Sequence, residues 1–402
     1  MPGEDAFVLA CLTHRLLPDH LLPPRSQDLD WDVVEALLFR HNLTGVFYRL
    51  GLEQPGLWPQ TLQNRLRREY HSALLWGDRC LEEVRTVLAA LGGAGIPSIV
   101  LKGWAAIPTI YGGDHGQRTY SDIDLLVQPR DAARAEQIVE SLGYRARTEP
   151  WPGFDRRFCN NRPFQLAKDA GAFGQVFAIA LHWHLLDTPF FFGRMPAAPF
   201  FARSRRVRLS GMELSVLEPE DHLVYACGHL ALHHRYDEAL FRYYELAWGL
   251  LRAGQAFDWS AVLQRTEAWR LVLPVQRVLR RLEGLWPGIV PSAVSDSVQA
   301  LTPSRSEQFV HRWVVAETPN PAVRAALAWL TMPGFGRRWR YALEQAFPGP
   351  NYLTQRYGPA PGGLWPLLYV RRIALAARYA ITAAARLLRR RSKHTLGADV
   401  AR

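Results

Sequence analysis

The sequence predicts an α+β protein, with an α/β core between two helical regions. Three observations support this class. Residues 5–92 carry apolar side chains at helical spacing, residues 93–216 alternate strand-like and helix-like runs, and residues 217–345 return to helical periodicity. A chain of 402 residues, with 48% apolar and 21% charged residues, is also long enough and apolar enough to bury a sizeable core.

Five segments follow from composition and periodicity. They are a helical N-terminal region (1–92), an α/β core (93–216), a helical C-terminal domain (217–345), a Pro/Gly-rich linker (346–363) and a basic amphipathic C-terminal helix (364–402).

Individual helices can be placed within these segments. Asp30 is expected to cap a helix over Trp31–His41, and a longer helix is expected from Pro59 to Leu91. The core should contain a helix over Ala132–Leu142, and the C-terminal domain a single helix over Leu223–Leu240 that Asp221 helps to start.

The motif Asp122-Ile-Asp124 stands before an apolar run, Leu125–Val127, that is typical of a buried strand. Because residues i and i+2 point to the same face of a strand, both carboxylates are expected to project together. Two adjacent carboxylates repel each other unless a cation neutralises them. Mg²⁺ suits such a pair, since it takes one or two carboxylates and leaves room for substrate phosphates. A strand end with solvated acids is the alternative interpretation.

A second motif lies upstream. The run Ile96–Leu101 is predicted to be a strand, and Gly103 to begin a turn into a helix that reaches Ile110. A glycine at such a junction lets backbone N–H groups approach an anion, and the helix N-terminus adds partial positive charge. Lys102 would meet a phosphate as a point charge.

Together these motifs resemble the DNA polymerase β-type nucleotidyltransferase superfamily, and more narrowly its bacterial, poorly characterised branch. The resemblance covers roughly residues 5–290 and is sharp only near 96–145. It is carried by Leu101-Lys-Gly103, Tyr111, Arg118, Ser121-Asp-Ile-Asp-Leu-Leu-Val127, Gly143-Tyr144 and, downstream, Leu181-His182-Trp183.

The resemblance implies a polymerase β-like core, a short mixed sheet with flanking helices, and a mechanism. Mg²⁺, with Mn²⁺ as the alternative, would bind an NTP (ATP is expected), and an acceptor on a small molecule, peptide or protein would attack the α-phosphorus. The implied metal ligands are Asp122 and Asp124. The implied catalytic residues are Asp122, Asp124 and His182, and the implied nucleotide-binding residues are Lys102, Gly103, Arg118 and Ser121.

The sequence departs from the superfamily at one place. A third carboxylate is expected just before the His-Trp pair, and this chain has Ala180 there. Asp187 or Asp169 would substitute, His182 or His184 would take the role as a neutral base, or catalysis is impaired. A packing role in the strand is the alternative for both histidines.

Further histidines lie in the predicted helix. His229 and His233 are four residues apart, a metal-ligand spacing, but no glutamate follows His229 as in H-E-x-x-H. A lining role in the acceptor pocket is the functional interpretation for them and for His234. Glu245 lies where the branch commonly has an acid, and an ordinary exposed or ion-paired helix acid is the alternative.

The C-terminal segment is strongly basic. Residues 364–393 hold eight Arg and Lys residues and no acid, which is most of the net charge of +11. A basic amphipathic helix is typical of peripheral contact with an anionic membrane, and a terminal helix packed on the body is the alternative. The remainder is nearly neutral, so no specific nucleic-acid binding is expected.

The expected compartment is the cytoplasm, with a peripheral position at the inner face of the membrane. Four dispersed cysteines indicate free thiols, residues 1–5 are acidic rather than a basic leader, and no long uninterrupted apolar run is present. Two functions remain open at this point. One is an active nucleotidyltransferase, and the other is a catalytically impaired protein of the same fold that binds a nucleotide or partner.

Overall fold

The computed structural model describes residues 3–23, 28–146, 152–161, 165–171, 174–237, 239–315, 321–358, 366–375 and 377–378. In these residues one seven-stranded mixed sheet lies between helical N-terminal and C-terminal regions. This arrangement confirms the predicted α+β class with a mixed sheet and flanking helices. Cys11, Cys80, Cys159 and Cys227 are free thiols, as predicted.

Four helices precede the sheet. They are α1 (Gly3–Leu16), α2 (Trp31–Arg40), α3 (Thr44–Glu53) and α4 (Gln60–Gly93). Asp30 caps α2 as predicted, because its carboxylate accepts hydrogen bonds from the backbone N–H groups of Asp32 and Val33. The second half of α4 packs on the sheet through a stripe that includes Val84, Val87 and Leu91.

The sheet has the strand order β3-β4-β5-β2-β1-β7-β6. The strands are β1 (Ser98–Val100), β2 (Ile123–Val127), β3 (Arg145–Ala146), β4 (Leu166–Asp169), β5 (Val176–His182), β6 (Arg205–Leu209) and β7 (Met212–Val216). Strand β2 is antiparallel to β1 and parallel to β5. Because β1 and β2 run in opposite directions, the end of β1 meets the start of β2, and the Leu101 N–H donates to the Asp124 carbonyl oxygen. The two sequence motifs are therefore neighbours.

In the described residues, five α-helices connect the strands, and eight lie between the last strand and residue 346. The first set is α5 (Lys102–Thr109), α6 (Ala132–Ser141), α7 (Pro152–Phe158), α8 (Pro189–Phe192) and α9 (Ala197–Arg203). The second set begins with α10 (Pro219–Leu232), α11 (Leu240–Ala253), α12 (Trp259–Ala268) and α13 (Val272–Leu285). It continues with α14 (Ser292–Ala300), α15 (Arg305–Val310), α16 (Pro321–Thr331) and α17 (Phe335–Ala346).

One apolar core joins the two helical regions that the sequence separates. Leu38 and Phe47 of the N-terminal helices belong to the same buried cluster as Tyr244 and Val275 of the C-terminal helices. A second cluster lies around the sheet and includes the fully buried Trp104 and Tyr144, while a small third cluster attaches α17 to α7. Among the described residues, no helix combines the length and apolar character needed to cross a membrane.

The predicted helix over Leu223–Leu240 is wrong. Helix α10 ends at Leu232, and a turn with positive φ at Arg235 and Tyr236 leads to α11. The Tyr236 N–H donates to the Leu230 carbonyl oxygen, and its ring is buried beside His311. This tertiary packing interrupts a periodicity that continues through the turn in the sequence.

The Pro/Gly-rich segment 346–363, predicted to be a linker, is partly helical. It contains a helix, α18 (Pro350–Tyr357), and its first residue, Ala346, ends α17. Residues 347–349 and 358 are not helical. Of the predicted C-terminal helix, residues 366–375 and 377–378 are helical. The remaining residues of 364–402 lie outside the described part of the chain.

Replacing Asp221 by alanine is expected to destabilise the protein by about 3 kcal/mol. Asp221 is the third residue of α10, is fully buried, and pairs with Arg203 (Nη2–Oδ2 2.9 Å) and Arg265 (Nη1–Oδ1 3.0 Å). Loss of the carboxylate leaves the two guanidinium groups to share Glu218, which pairs with both, as their remaining counter-charge. Urea unfolding would measure the loss, and an unchanged midpoint would contradict it.

Candidate active site

The two carboxylates of the Asp122-Ile-Asp124 motif line one cavity of about 630 Å³. Asp122 directly precedes β2 and Asp124 is its second residue, while Ile123 is buried in the sheet core, as the alternation of a strand requires. The cavity is bounded by α5, the turn before β2, α10 and α11. Its lining includes Asn42, Lys102, Gly103, Arg118, Ser121, Asp122, Asp124, Gln165, Tyr225, His229, His233, His234, Phe241, Arg242 and Glu245.

Asp124 is held by two donors. Its Oδ1 atom accepts from Lys102 Nζ and from His182 Nε2, each at 2.8 Å, and the residue is only 3% exposed. Burial by itself would raise the pKa of Asp124, but the charge of Lys102 and the hydrogen bond from His182 outweigh it and lower that pKa to about 2. Asp124 is therefore ionised.

Asp122 is in the opposite electrostatic situation. Its Oδ1 accepts from Ser121 Oγ at 3.0 Å and its Oδ2 accepts from the amide of Gln165. Burial, followed by the negative charge of Asp124, raises the pKa of the Asp122 carboxyl. A divalent cation between the two carboxylates would relieve this repulsion, so the pair fits Mg²⁺. Within the described residues, no group of three or more His, Cys, Asp or Glu side chains forms a metal cluster.

Lys102 and Gly103 form the N-terminus of α5, beside Asp124. Lys102 has a positive φ of 51°, which is uncommon for a residue with a side chain, and this conformation accompanies its Nζ contact with Asp124. A Cβ atom at position 103 would overlap the Nη1 atom of Arg118. The glycine therefore leaves room for the guanidinium group, which a side chain at this position would displace. The expected contact between this backbone and phosphates stays a prediction.

Replacing Gly103 by alanine is expected to displace the Arg118 guanidinium and lower nucleotide affinity by about tenfold, roughly 1.4 kcal/mol. The added methyl group has no space beside Nη1, and Arg118 has a buried partner that it would have to leave. Titration calorimetry would measure the affinity. Gly92→Ala is the matched control, because a Cβ there meets nothing within 4 Å. Equal affinities in the two variants would contradict the expectation.

Arg118 is paired inside the cavity wall. Its Nε atom donates to Glu245 Oε1 at 2.5 Å, and the Tyr111 hydroxyl donates to the same oxygen at 2.9 Å. Both charged side chains are largely buried, and the guanidinium lies over the ring of Phe241 at 5.3 Å. Arg118 therefore joins the turn before β2 to α11, and Glu245 is the ion-paired acid of the alternative interpretation. The assignment of Arg118 to nucleotide binding stays a prediction.

Ala180 lies beside Asp124 in the sheet, since the two residues are register partners of β5 and β2. This is the place where the resemblance leads one to expect a third carboxylate. Asp169 and Asp187 are not among the residues that line the cavity. Neither is His184, which stacks on Phe192 at 4.0 Å; burial and then Arg337 lower its pKa to about 4.

His182 contacts Asp124 from outside the cavity lining. The side chain is 3% exposed, does not line the cavity, and donates from Nε2 to Asp124. Burial lowers the pKa of His182, so the ring is neutral. Its expected role as a catalytic group stays a prediction, and the geometry suits a residue that positions Asp124.

The sequence reasoning missed several lining residues. Gln165, which donates to Asp122, and Asn42 and Tyr225 carried no motif signal that could have found them. The three histidines at the end of α10 do line the cavity. The ring centroid of His229 is 4.9 Å from that of His233 and 4.8 Å from that of His234. Burial and then Lys102 keep the pKa of His229 well below its usual value.

A central strand presents two carboxylates to a cavity, beside a Lys-Gly helix N-terminus, as the sequence resemblance leads one to expect of a nucleotidyltransferase. The chain belongs to the family described as "Uncharacterised nucleotidyltransferase", whose sequence profile matches residues 27–287. It is therefore a nucleotidyltransferase enzyme, as the sequence predicted. No curated protein matches the chain significantly.

Two solved structures are similar in part. The solution structure of the antibiotic-resistance factor ANT(2'')-Ia has 14% identity and a TM-score of 0.30, over 49% of this chain and 95% of that one. The crystal structure of an antigenic nucleotidyltransferase-like protein from Paracoccidioides brasiliensis has 13% identity and a TM-score of 0.32, over 58% of this chain and 97% of that one.

Proposed function

We propose that this enzyme transfers a nucleoside monophosphate from an NTP, with ATP as the expected donor, to a small-molecule, peptide or protein acceptor in a Mg²⁺-dependent reaction. The observation that carries the proposal is the pair of carboxylates, Asp122 and Asp124, on the wall of a cavity of about 630 Å³. The negative charge of Asp124, together with burial, raises the pKa of Asp122. This volume lies within the usual range of ligand pockets, about 300–1,000 Å³.

Asp122 and Asp124 would hold the metal, which supplies charge neutralisation and orientation for the triphosphate. Lys102 stands beside the pair with its charge directed at Asp124 (2.8 Å), so it adds a second cation where phosphate charge must be balanced. His182 fixes Asp124 from outside the cavity lining, and Gln165, which lines the cavity, fixes Asp122. The protein thus supplies a rigid, charged surface rather than a covalent intermediate.

In the transfer step the acceptor oxygen or nitrogen forms a bond to the α-phosphorus. The bond from that phosphorus to the bridging oxygen breaks, and pyrophosphate leaves with the electron pair. A base must take the acceptor's proton. His229 lines the cavity, and we propose that its neutral ring accepts this proton transiently and releases it to solvent, since burial and then Lys102 hold its pKa well below the usual value.

The test is calorimetric titration of ATP, GTP, CTP and UTP with and without Mg²⁺. Metal-dependent binding of one nucleotide, weakened about a hundredfold or more in Asp122→Asn/Asp124→Asn, would support the proposal. The matched control is Asp19→Asn/Asp28→Asn, which changes two acids that do not line the cavity. Absence of Mg²⁺-dependent binding for all four nucleotides would refute it.

A second function is favoured by one observation, Ala180 beside Asp124. We propose as the alternative a catalytically impaired protein that binds a nucleotide or partner without transfer. Pyrophosphate release in the presence of hydroxyl and amine acceptors separates the two. Release by the wild type favours the enzyme; tight Mg²⁺-dependent binding with release only after Ala180→Asp favours the impaired protein.

A further inference from the structure

Helix α17 presents an apolar face to solvent. Phe335, Trp339 and Leu343 are spaced four residues apart, so they share one face, and they are 77%, 49% and 58% exposed. We call these three residues the α17 stripe. Tyr341 faces the other way and is buried against Phe154 at 5.4 Å between ring centroids. The helix is thus anchored on one side, and the opposite side is apolar and largely exposed, with Trp339 in edge contact with Trp329.

Exposed apolar side chains are concentrated in this part of the molecule. Of fifteen large apolar side chains that are exposed among the described residues, eight lie between residues 330 and 373. Scattered single residues of this kind are normal on a soluble surface, but such a concentration marks an interaction site. Beyond the α17 stripe the eight include Leu330, Phe347, Leu367, Val370 and Ile373.

The segment after α18 extends this surface. Leu367, Val370 and Ile373 lie on one face of the helical residues 366–375 and are more than half exposed. This segment is fixed to the end of α17, because Arg372 donates to the Gln345 carbonyl oxygen at 2.6 Å and the ring of Tyr369 lies 5.9 Å from that of Phe347. The two helices that carry the exposed apolar faces therefore adjoin each other.

The charge around these faces is of one sign. Between residues 330 and 378 the chain has seven arginines and a single acid, Glu344. That acid is already paired, with Arg157 at 2.7 Å and with Arg340 at 2.9 Å. Aromatic and aliphatic side chains flanked by arginines are the pattern of helices that lie in the interface of a bilayer.

We propose that the α17 stripe, with the adjoining face of residues 366–375, docks on the surface of an anionic phospholipid bilayer. The charge complementarity selects this occupant: a neutral apolar partner would leave the arginines without a counter-charge, whereas lipid phosphates provide one. From Phe335 to Leu343 the stripe is about 12 Å long, and it would enter the boundary between headgroups and acyl chains with α17 parallel to the surface. The surface lies largely upstream of the basic segment 364–393 to which the sequence assigned membrane contact.

The test is co-sedimentation of the full chain with vesicles of phosphatidylcholine alone or mixed with phosphatidylglycerol. The wild type should bind only the mixed vesicles, and Phe335→Ser/Trp339→Ser/Leu343→Ser should weaken binding by about a hundredfold. The matched control, Phe39→Ser/Leu52→Ser/Leu75→Ser, removes three exposed apolar side chains elsewhere and should bind like the wild type.

Charge is tested separately. Arg356→Gln/Arg371→Gln, two exposed arginines, should weaken binding by about thirtyfold, since each arginine near an anionic surface contributes about 1 kcal/mol. Arg67→Gln/Arg68→Gln, on the exposed side of α4, is the matched control and should have little effect. Circular dichroism of every variant would verify that the fold is retained.

Three results would overturn the proposal. One is equal binding of the wild type and the triple serine variant to mixed vesicles. Another is a wild-type oligomer that becomes monomeric in the triple variant, which would make the stripe a contact between copies. The last is binding that depends only on Arg389, Arg390 and Arg391, which lie outside the described residues, since the basic terminus alone would then carry it.

Discussion

Replacing Asp122 by asparagine is expected to weaken Mg²⁺-dependent nucleotide binding by about a hundredfold while making the metal-free protein more stable, by about 1 kcal/mol. Asparagine keeps the shape of the side chain, and its single oxygen can still accept from Ser121, while the Gln165 amide can turn over and accept from the new NH2 group. The change removes a charge that burial and Asp124 both oppose. A functional carboxylate that is strained without its metal should show this opposite effect on function and stability. Calorimetry and thermal unfolding without metal would measure the two.

The same change at Asp124 should behave differently. Asp124→Asn should also weaken nucleotide binding, but it should destabilise the protein by about 3 kcal/mol, because Lys102 would lose its buried counter-charge. The prediction is therefore that the two substitutions change stability in opposite directions, although both weaken nucleotide binding. Destabilisation by Asp122→Asn, or unchanged nucleotide binding in either variant, would argue against the metal site.

Breaking the Arg118–Glu245 pair is expected to cost about 3–5 kcal/mol of unfolding free energy, whichever partner is removed. Arg118→Met leaves a carboxylate that is 14% exposed, and Glu245→Leu leaves a guanidinium that is 11% exposed. The double variant Arg118→Met/Glu245→Leu should recover much of this loss, since neither buried charge then remains. Urea unfolding of the four proteins would give a coupling energy of about 2 kcal/mol or more.

An exposed pair provides the control for that cycle. Arg206 and Glu213, in the β6–β7 hairpin, are also 2.5 Å apart, but they are 69% and 53% exposed. Arg206→Met and Glu213→Leu should each change stability by less than about 1 kcal/mol, with a coupling energy near zero. Similar coupling in the two pairs would mean that burial does not determine the strength of the Arg118–Glu245 interaction.

Much of the fold was predictable because its signals are local. Helix α2 with its Asp30 cap, the long helix α4 and the strand that follows Asp122 depend on residues within a few positions of one another. The predicted helix over Leu223–Leu240 failed for a non-local reason. Tyr236 is buried beside His311, 75 residues away, in the turn that follows the end of α10. The apolar periodicity within the segment could not predict that contact.

The sequence by itself determined the family and the local chemistry of the site: two carboxylates on one face of a strand, and a Lys-Gly turn before a helix. The tertiary structure decided which groups act on them. Lys102 and His182 donate hydrogen bonds to Asp124, and Gln165 donates one to Asp122. Arg118 pairs with Glu245, which lies 127 residues further along the chain. Spacing along a strand fixes the direction of neighbouring side chains, whereas contacts between distant residues arise only when the sheet and its flanking helices pack.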